Sequence, residues 1–258
     1  MATASTSAQT TLRQLIDSYR ISQAICVAAQ IGLADLLADG PRHYEDLARA
    51  SGTHPRALFR LLRALASMDV FVSVDGERFA LGALGEWLRS DVEGSLHAWA
   101  AQSDQLRRAW TALRHSVETG ETAFDHLHGM NVWAYRAQHP DEGHLFQQAM
   151  TATTLMVVRA VLAAYDFSRF DTVADIGGGR GTLLHAILEA HPKLHGILYD
   201  LPDAIREAAE LFDQSGFSGR CQLLAGSFFE SVPEGADAYV LSRVLHDWTD
   251  TQAIEILQ

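Results

Sequence analysis

Val173-Ala174-Asp175-Ile176-Gly177-Gly178-Gly179-Arg180-Gly181-Thr182 is the stretch that decides the fold of this 258-residue chain. The mostly apolar residues from Phe170 to Ile176 predict a short buried strand, the glycines end it, and apolar positions return at helical spacing from Thr182 to Leu188. A strand, a glycine turn and a helix form the first half of a nucleotide-binding βαβ unit. Glycine suits this turn because the chain reverses sharply and a ligand lies against bare backbone.

The spacing of the glycines narrows the choice of ligand. The dinucleotide pattern G-x-G-x-x-G, counted from Gly177, fails because its last position is Thr182, whereas an acidic-x-G-x-G-x-G frame that starts at Asp175 fits. A second acid, Asp200, ends the next apolar run, where βαβ folds place a carboxylate that accepts hydrogen bonds from ribose hydroxyls. NAD and S-adenosylmethionine sites share this combination. Since Arg180 is the one basic residue near the loop, a ligand without phosphate is favoured.

Strand and helix patterns continue to alternate after the loop. They predict a helix from about Asp203 to Phe212, a strand at 221–225 and another at 236–242. Repeated βα units of this kind predict an α/β, Rossmann-like domain with a parallel sheet, and such sheets bind ligands at the carboxyl ends of their strands. The groups expected to share one crevice at those ends are the glycine loop, Asp200, Ser227, Phe228 and the segment 242–246.

The N-terminal region is predicted to be helical. Residues 1–10 suggest a flexible tail, and from Thr11 apolar residues recur at i, i+3, i+4 and i+7. The next stretch, Ile21 to Leu37, is apolar almost all round, which the surface helix of a monomer does not tolerate. It is therefore buried within its own domain or against a second subunit, and we favour a homodimer formed through these helices.

Residues 42–82 follow a winged-helix pattern: a short helix at 44–50, a second helix that begins at Pro55, and a β-hairpin over 70–81. Because Arg56, Arg60 and Arg63 share one helical face, a DNA-binding module has to be considered.

Charge argues against that interpretation. Residues 41–70 carry five arginines and three acids, and the whole chain has a net charge of −12, whereas a protein that reads the phosphate backbone needs a denser basic patch. We expect no nucleic-acid partner, and a dimerisation role for this region.

The pattern stays helical from Leu84 to Tyr165. The residues that could line a pocket for a flat apolar substrate are Met130, Trp133, Phe146 and Met150, with ordinary core packing as the alternative for each. The histidines at positions 126 and 128 lack the spacing of a metal site, so no metal is expected.

Two isolated cysteines, Cys26 and Cys221, do not form a disulfide framework, which suggests a reducing cytoplasm. The sequence shows neither a run of about eighteen apolar residues nor the pattern of a signal peptide, so a membrane is not expected as a partner.

Four motifs in order carry a more specific resemblance. They are Asp175-x-Gly177-Gly178-Gly179-x-Gly181, Tyr199-Asp200-Leu201-Pro202, Gly226-Ser227-Phe228-Phe229 and Leu245-His246-Asp247-Trp248-x-Asp250. This order resembles the S-adenosylmethionine-dependent O-methyltransferases of the caffeic acid and hydroxyindole type, including bacterial natural-product enzymes. The winged-helix-like N-terminal region resembles the dimerisation domain of that family. The similarity covers about residues 12–258.

The resemblance implies a role for each matching residue. The cofactor would be S-adenosylmethionine, the acceptor a hydroxyl of a small aromatic secondary metabolite, and His246 the general base. The cofactor-binding residues implied are Gly177, Asp200, Leu201, Ser227, Phe228 and Ser242. Many family members have Asp where this chain has Ser227, and plant members have Lys where it has Ser242.

The resemblance also implies boundaries: a dimerisation domain over 11–100, a helical linker with the substrate pocket over 101–166, and a cofactor domain over 167–258. Further strands, and the acids that orient His246, are expected beyond Gln258, so residues 1–258 alone are not expected to be active. Two alternatives stay open. One is a decarboxylase or hydroxylase on the same fold, and the other is a non-catalytic dimeric module.

Overall fold

The computed structural model describes residues 7–102 and 104–258, and these form two compact units, one ending at Val132 and one beginning at Trp133. The helices of the first unit are α1 (Ala8–Gln30), α2 (Leu33–Leu36), α3 (Tyr44–Ser51), α4 (Pro55–Ala66), α5 (His97–Ala101), α6 (Asp104–Thr111), α7 (Leu113–Thr119) and α8 (Ala123–His128). Its strands are β1 (Arg42–His43), β2 (Phe71–Ser73) and β3 (Arg78–Leu81). A further helix, α9 (Val132–Gln138), begins at the boundary between the units.

The three strands form an antiparallel sheet in the order β1-β3-β2, with Phe71 opposite Leu81 and Arg42 opposite Phe79. The hairpin closes at Asp75, whose Oδ1 accepts a hydrogen bond from the amide of Arg78 at 2.7 Å. Helices α3 and α4 pack beside this hairpin. The arrangement confirms the predicted winged-helix-like region and adds the two-residue strand β1, which is too short to leave a sequence pattern.

Two expectations for the N-terminus need correction. Helix α1 begins at Ala8, because Ser7 caps it by accepting a hydrogen bond from the Thr10 amide at 3.2 Å. The predicted tail is therefore wrong for residues 8–10, and residues 1–6 lie outside the described part of the chain. The stretch 21–37 was expected to be buried, with a second subunit favoured as its cover, but Leu33 and Leu37 are almost fully buried within their own unit. The exposed apolar face lies earlier on α1, at Leu12, Leu15, Ile16 and Tyr19.

The second unit is an α/β domain. It contains α10 (Pro140–Ala164), β4 (Thr172–Ile176), α11 (Thr182–Ala190), β5 (His195–Asp200), α12 (Pro202–Gln214), β6 (Cys221–Ala225), β7 (Ala238–Val240) and α13 (Asp250–Ile256). The strands form a parallel sheet in the order β6-β5-β4-β7, with Asp175 of β4 beside Leu198 of β5 and Val240 of β7. This confirms the Rossmann-like fold predicted from the sequence.

Both faces of this sheet are covered by apolar side chains. Leu184, Leu188 and Phe212 pack in one cluster with Leu198, and Ile176, Ile197 and Tyr199 pack in another. A strand buried on both faces has to be apolar along its whole length, which is why β5 reads as a continuous apolar run. The sheet thus sets β4 and β5 side by side and brings their carboxyl ends to one edge.

Within the described residues, α10 is long and apolar enough to cross a membrane by length and composition alone, contrary to the expectation that no such run exists. One such helix is weak support for a membrane span, because the core helix of a soluble protein passes the same test. The described residues contain no group of three or more His, Cys, Asp or Glu side chains arranged to hold a metal ion.

Candidate active site

The glycine loop leaves the carboxyl end of β4. Gly177 continues the strand pairing by donating its amide hydrogen to the carbonyl of Tyr199 at 2.8 Å, and it then turns the chain with φ of +68°. The loop closes where the amide of Gly181 donates to the carbonyl of Gly178 at 2.9 Å, directly before α11. A positive φ at Gly177 is a conformation that side-chain-bearing residues rarely adopt, so the turn requires glycine there.

Close packing excludes side chains from the loop as well. A Cβ on Gly177 would lie 2.8 Å from Cγ2 of Val244, and a Cβ on Gly178 would lie 2.6 Å from the carboxyl carbon of Asp175. The loop therefore rests directly on Asp175 below and on Val244 beside it, and its backbone stays bare toward a ligand.

Asp175 is the buried acid beneath the loop. Its side chain is 1% exposed, and its carboxyl oxygens have no hydrogen-bond partner in the described part of the chain. Burial, assisted by the charge of Asp200, raises the pKa of Asp175 to about 7. The nearby amide of Leu184 lowers this pKa more weakly, from outside the geometry of a hydrogen bond.

Asp200, at the end of β5, is tied to the loop through backbone amides. Its Oδ2 accepts a hydrogen bond from Gly179 at 2.7 Å, and its Oδ1 accepts one from Leu201 at 2.6 Å. Burial raises the pKa of Asp200 in spite of both bonds. Each oxygen keeps a lone pair for a further donor, such as a ribose hydroxyl.

The charges around the loop do not suit a phosphate. Two carboxyls, Asp175 and Asp200, lie at the loop, and the side chain of Arg180 pairs with Glu207 of α12 at 3.6 Å. Glu207 also lies 3.4 Å from Nδ1 of His144 on α10. A neutral or positively charged ligand group is therefore favoured next to these acids.

Aromatic rings follow β6 on the same edge of the sheet. The ring of Phe228 lies edge-to-face against Phe229 at 5.0 Å and against Trp248 at 5.8 Å. Ser227 Oγ accepts a hydrogen bond from the amide of Phe229 at 3.3 Å. The Cβ position of Gly177 is 3.6 Å from the ring of Phe228, so this aromatic cluster borders the glycine loop.

His246 lies in a 3₁₀ turn, Leu245–Asp247, that follows β7. The turn is held against the site on both sides: Val244 packs on Gly177, and Trp248 packs on Phe228. The imidazole is 64% exposed, and its Nε2 lies 3.4 Å from Oδ1 of Asp247.

The candidate pocket residues divide between the two units. Trp133 and Phe146 belong to the second unit and meet edge-to-face at 5.6 Å. Met150 is half-buried on α10, whereas Met130 belongs to the first unit, after α8. Arg136 of α9 lies beside this aromatic pair, with its guanidinium carbon 3.4 Å from the centroid of the Phe146 ring and 5.0 Å from that of Trp133.

The structure thus brings Gly177, Asp200, Phe228 and the His246 turn to one edge of the sheet. Leu201 lies between β5 and α12, and its side chain is 43% exposed. Ser242 lies two residues after β7 and is half-buried. The sequence placed Asp175 in the glycine-loop motif and Val244 within the segment 242–246 without giving either a role, and it did not mark Arg136. Asp175 left a signal, since an acid within a buried apolar strand needs a reason, but nothing local marks the other two.

The site combines a bare glycine loop, two carboxyls, a cluster of aromatic rings and a histidine turn. This combination is typical of an α/β enzyme that binds a nucleoside-type cofactor at the carboxyl ends of its strands. Family models extend this description: residues 110–258 match the O-methyltransferase domain, and residues 13–91 match the O-methyltransferase dimerisation domain. The chain therefore belongs to the O-methyltransferase family.

Individual relatives agree with that assignment. The chain is 41% identical to the phenazine O-methyltransferase PhzM of Lysobacter antibioticus over 96% of its own length and 73% of that protein. It is 40% identical to the mitomycin biosynthesis 6-O-methyltransferase of Streptomyces lavendulae, over 97% and 73% of the two chains. The solved O-methyltransferase NcsB1 of neocarzinostatin biosynthesis, in complex with S-adenosylmethionine and 2-hydroxy-5-methyl naphthoic acid, is 35% identical, with a TM-score of 0.82 over 92% of this chain and 74% of that one.

The chain is accordingly an S-adenosylmethionine-dependent O-methyltransferase, and the residues present fit that cofactor. The loop is too closely packed for side chains, and the Asp200 carboxylate keeps free lone pairs and favours a positively charged group. Neither alternative drawn from the sequence, a decarboxylase or hydroxylase on this fold or a non-catalytic module, is favoured by these relatives.

Proposed function

We propose that this protein transfers a methyl group from S-adenosylmethionine to a hydroxyl, phenolic in character, of a small aromatic natural product, with His246 as the general base. The observation that carries the proposal is the attachment of the His246 turn to the cofactor loop. Val244, two residues before His246, packs on Gly177, and Trp248, two residues after it, packs on Phe228. The imidazole is thus anchored beside the loop while its ring stays accessible to an acceptor.

The loop and its acids form the cofactor side of the site. When bound, S-adenosylmethionine supplies a methyl group on positively charged sulfur, which is already electrophilic. Gly177 would offer bare backbone to the methionine end, and Asp200 would accept hydrogen bonds from the ribose hydroxyls. Leu201, Ser227 and Phe228 would hold the adenine, and Ser242 would contribute at the rim. The Asp200 carboxylate, which is tied to the loop at Gly179, would favour the positive charge.

His246 removes the acceptor's proton. A phenol is a weaker acid than an imidazolium by about 3.5 pKa units, so complete proton transfer in advance is roughly 5 kcal/mol uphill. Proton removal is therefore coupled to methyl transfer. Asp247, whose Oδ1 lies 3.4 Å from Nε2, stabilises the imidazolium that forms.

The acceptor side is supported by the aromatic pair Trp133 and Phe146, which meet at 5.6 Å. Flat aromatic rings pack well on such edge-to-face pairs. Met150, half-buried on α10 of the same unit, completes this proposed acceptor wall, and Met130 stays a prediction from the sequence. The naphthoic acid named in the NcsB1 complex is a ligand of this kind.

We also propose that the protein is a cytoplasmic homodimer. The exposed apolar face of α1, formed by Leu12, Leu15, Ile16 and Tyr19, needs a cover, and the match to the family's dimerisation domain includes all of these residues except Leu12. The proposed domain boundaries are 11–100 for the dimerisation domain, 101–166 for the linker and the substrate pocket, and 167–258 for the cofactor-binding domain.

The test compares His246→Ala with His195→Ala on the intact protein. His195 is an exposed histidine at the opposite end of the sheet, where β5 begins. We expect His246→Ala to lower kcat for methylation of a hydroxyarene by about 10²- to 10⁴-fold, the usual contribution of a general base. Binding of S-adenosylhomocysteine, measured by calorimetry, should not change in either variant. Retention of wild-type kcat by His246→Ala would exclude the general-base role.

A further inference from the structure

The guanidinium of Arg136 is an unusual cation for a pocket wall. It projects from α9 and is half-buried, with its guanidinium carbon 3.4 Å from the centroid of Phe146 and 5.0 Å from that of Trp133. Among the described residues, no carboxylate lies within ion-pair distance of it. The acids that act on it, Asp247 and Glu142, do so from farther away.

Burial leaves this cation short of solvation. Desolvation lowers the pKa of Arg136 to about 10, and the charges of Asp247 and Glu142 recover only part of the loss. Arginine keeps its proton at neutral pH even so, and the ring faces of Phe146 and Trp133 supply weak cation–π attraction in place of water. A desolvated guanidinium with two aromatic neighbours is well suited to bind a planar anion through paired N–H donors.

The location of Arg136 relates it to the reaction. It lies within electrostatic reach of Asp247, which in turn lies 3.4 Å from His246. Trp133 and Phe146, which hold Arg136, are also the proposed wall for the aromatic acceptor. An acceptor ring on that wall would therefore meet a base on one side and a cation on another.

We propose that Arg136 is a substrate-binding residue that pairs with a carboxylate on the aromatic acceptor, so that the preferred substrates are hydroxyaryl carboxylic acids. This inference rests on the proposed function, since it names the substrate class of the same site. Direct paired hydrogen bonds at contact distance outweigh the longer-range repulsion from Asp247 and Glu142, because Coulomb interactions weaken with distance and with solvent screening. Asp247 also lies 3.4 Å from the imidazole of His246, so part of its charge is directed toward that ring rather than toward the acceptor.

The test measures binding by calorimetry in the presence of S-adenosylhomocysteine. The probes are two matched pairs: 4-hydroxybenzoate with its methyl ester, and 6-hydroxy-2-naphthoate with its methyl ester. The proteins are wild type, Arg136→Leu, Arg136→Lys and the control Arg169→Leu. Arg169 is an exposed arginine of the same unit that also stacks on a ring, that of Phe170 at 5.6 Å.

We expect the wild-type protein to bind each acid about tenfold or more tightly than its ester, the usual value of a hydrogen-bonded charge. Arg136→Leu should weaken acid binding by about 10- to 100-fold and leave ester binding nearly unchanged. Arg136→Lys should lie between, because lysine keeps the charge but lacks the planar fork. Arg169→Leu should match the wild type.

Two results would overturn the proposal. One is equal binding of acid and ester by the wild-type protein. The other is an equal loss of acid and ester binding in Arg136→Leu, which would mean that Arg136 only braces α9 against Phe146. If the leucine variant does not fold, the lysine variant and the wild-type acid-to-ester ratio decide. Failure of the wild type to bind S-adenosylhomocysteine would contradict the proposed function, whereas the acid-to-ester ratio is measurable without that ligand.

Discussion

Substitution of Asp175 by asparagine should change how the stability of this protein depends on pH. The carboxyl group of Asp175 is 1% exposed beneath the glycine loop, and its pKa is raised from 3.8 to about 7, first by burial and then by the charge of Asp200. In the unfolded chain the same group ionises near its ordinary value. Between about pH 4 and pH 7 the folded protein therefore holds a proton that the unfolded chain has lost.

The sign and size of the effect follow from this difference. Below pH 4 the group is protonated in both states and costs nothing. As the pH rises toward 7, Asp175 ionises in the unfolded chain, which lowers the free energy of the unfolded state. The same group stays protonated in the folded protein, so the free energy of unfolding falls. The shift corresponds to at most about 4 kcal/mol by pH 8. Asparagine is neutral at every pH, so its stability relative to wild type should rise across this window and level off above it.

Urea unfolding followed by tryptophan fluorescence between pH 4.5 and 8 measures this difference. Asp39→Asn, at an exposed turn of the first unit, serves as the control and should show a nearly flat difference. The asparagine amide adds a pH-independent offset, so the slope is the diagnostic quantity. A flat slope for Asp175→Asn, or a slope of the opposite sign, would refute the claim that this carboxyl is protonated in the folded protein near neutral pH.

Three further outcomes are expected. Gly177→Ala should lower the free energy of unfolding by roughly 1–2 kcal/mol through its positive φ, and should weaken S-adenosylhomocysteine binding in calorimetry because the new methyl meets Val244 at 2.8 Å; unchanged affinity would contradict the close packing of the loop. Leu15→Glu, at a position 66% exposed on α1, should shift sedimentation velocity from dimer toward monomer with unchanged circular dichroism, whereas an unaltered dimer would place the interface elsewhere. Phe212→Ala should lower the free energy of unfolding by about 3–5 kcal/mol in urea titrations, because a fully buried ring is lost, and a cost below about 1 kcal/mol would mean that the site collapses freely.

Local patterns allowed much of the fold to be predicted. The strand at 221–225 and the helix from Thr182 were predicted close to their observed bounds, because burial on a sheet and helical periodicity act within a few residues. The same local reasoning missed the cap at Ser7, and with it the true start of α1 at Ala8. It also favoured 21–37 as the stretch covered by a second subunit, whereas Leu33 and Leu37 are buried within their own unit and the exposed apolar residues lie on earlier turns of α1. Periodicity shows that a face is apolar but not which neighbour covers it.

The sequence by itself determined the glycine loop, the acid at Asp200 and the position of His246 after a strand, because each is a short motif whose chemistry follows from neighbouring residues. Only the tertiary structure decided that Asp175 is buried without a hydrogen-bond partner among the described residues, that Val244 packs on Gly177, and that Arg136 lies against Phe146. Burial, and the pKa shifts it causes, depend on which distant segments pack together. That information is not present in any short stretch of the chain.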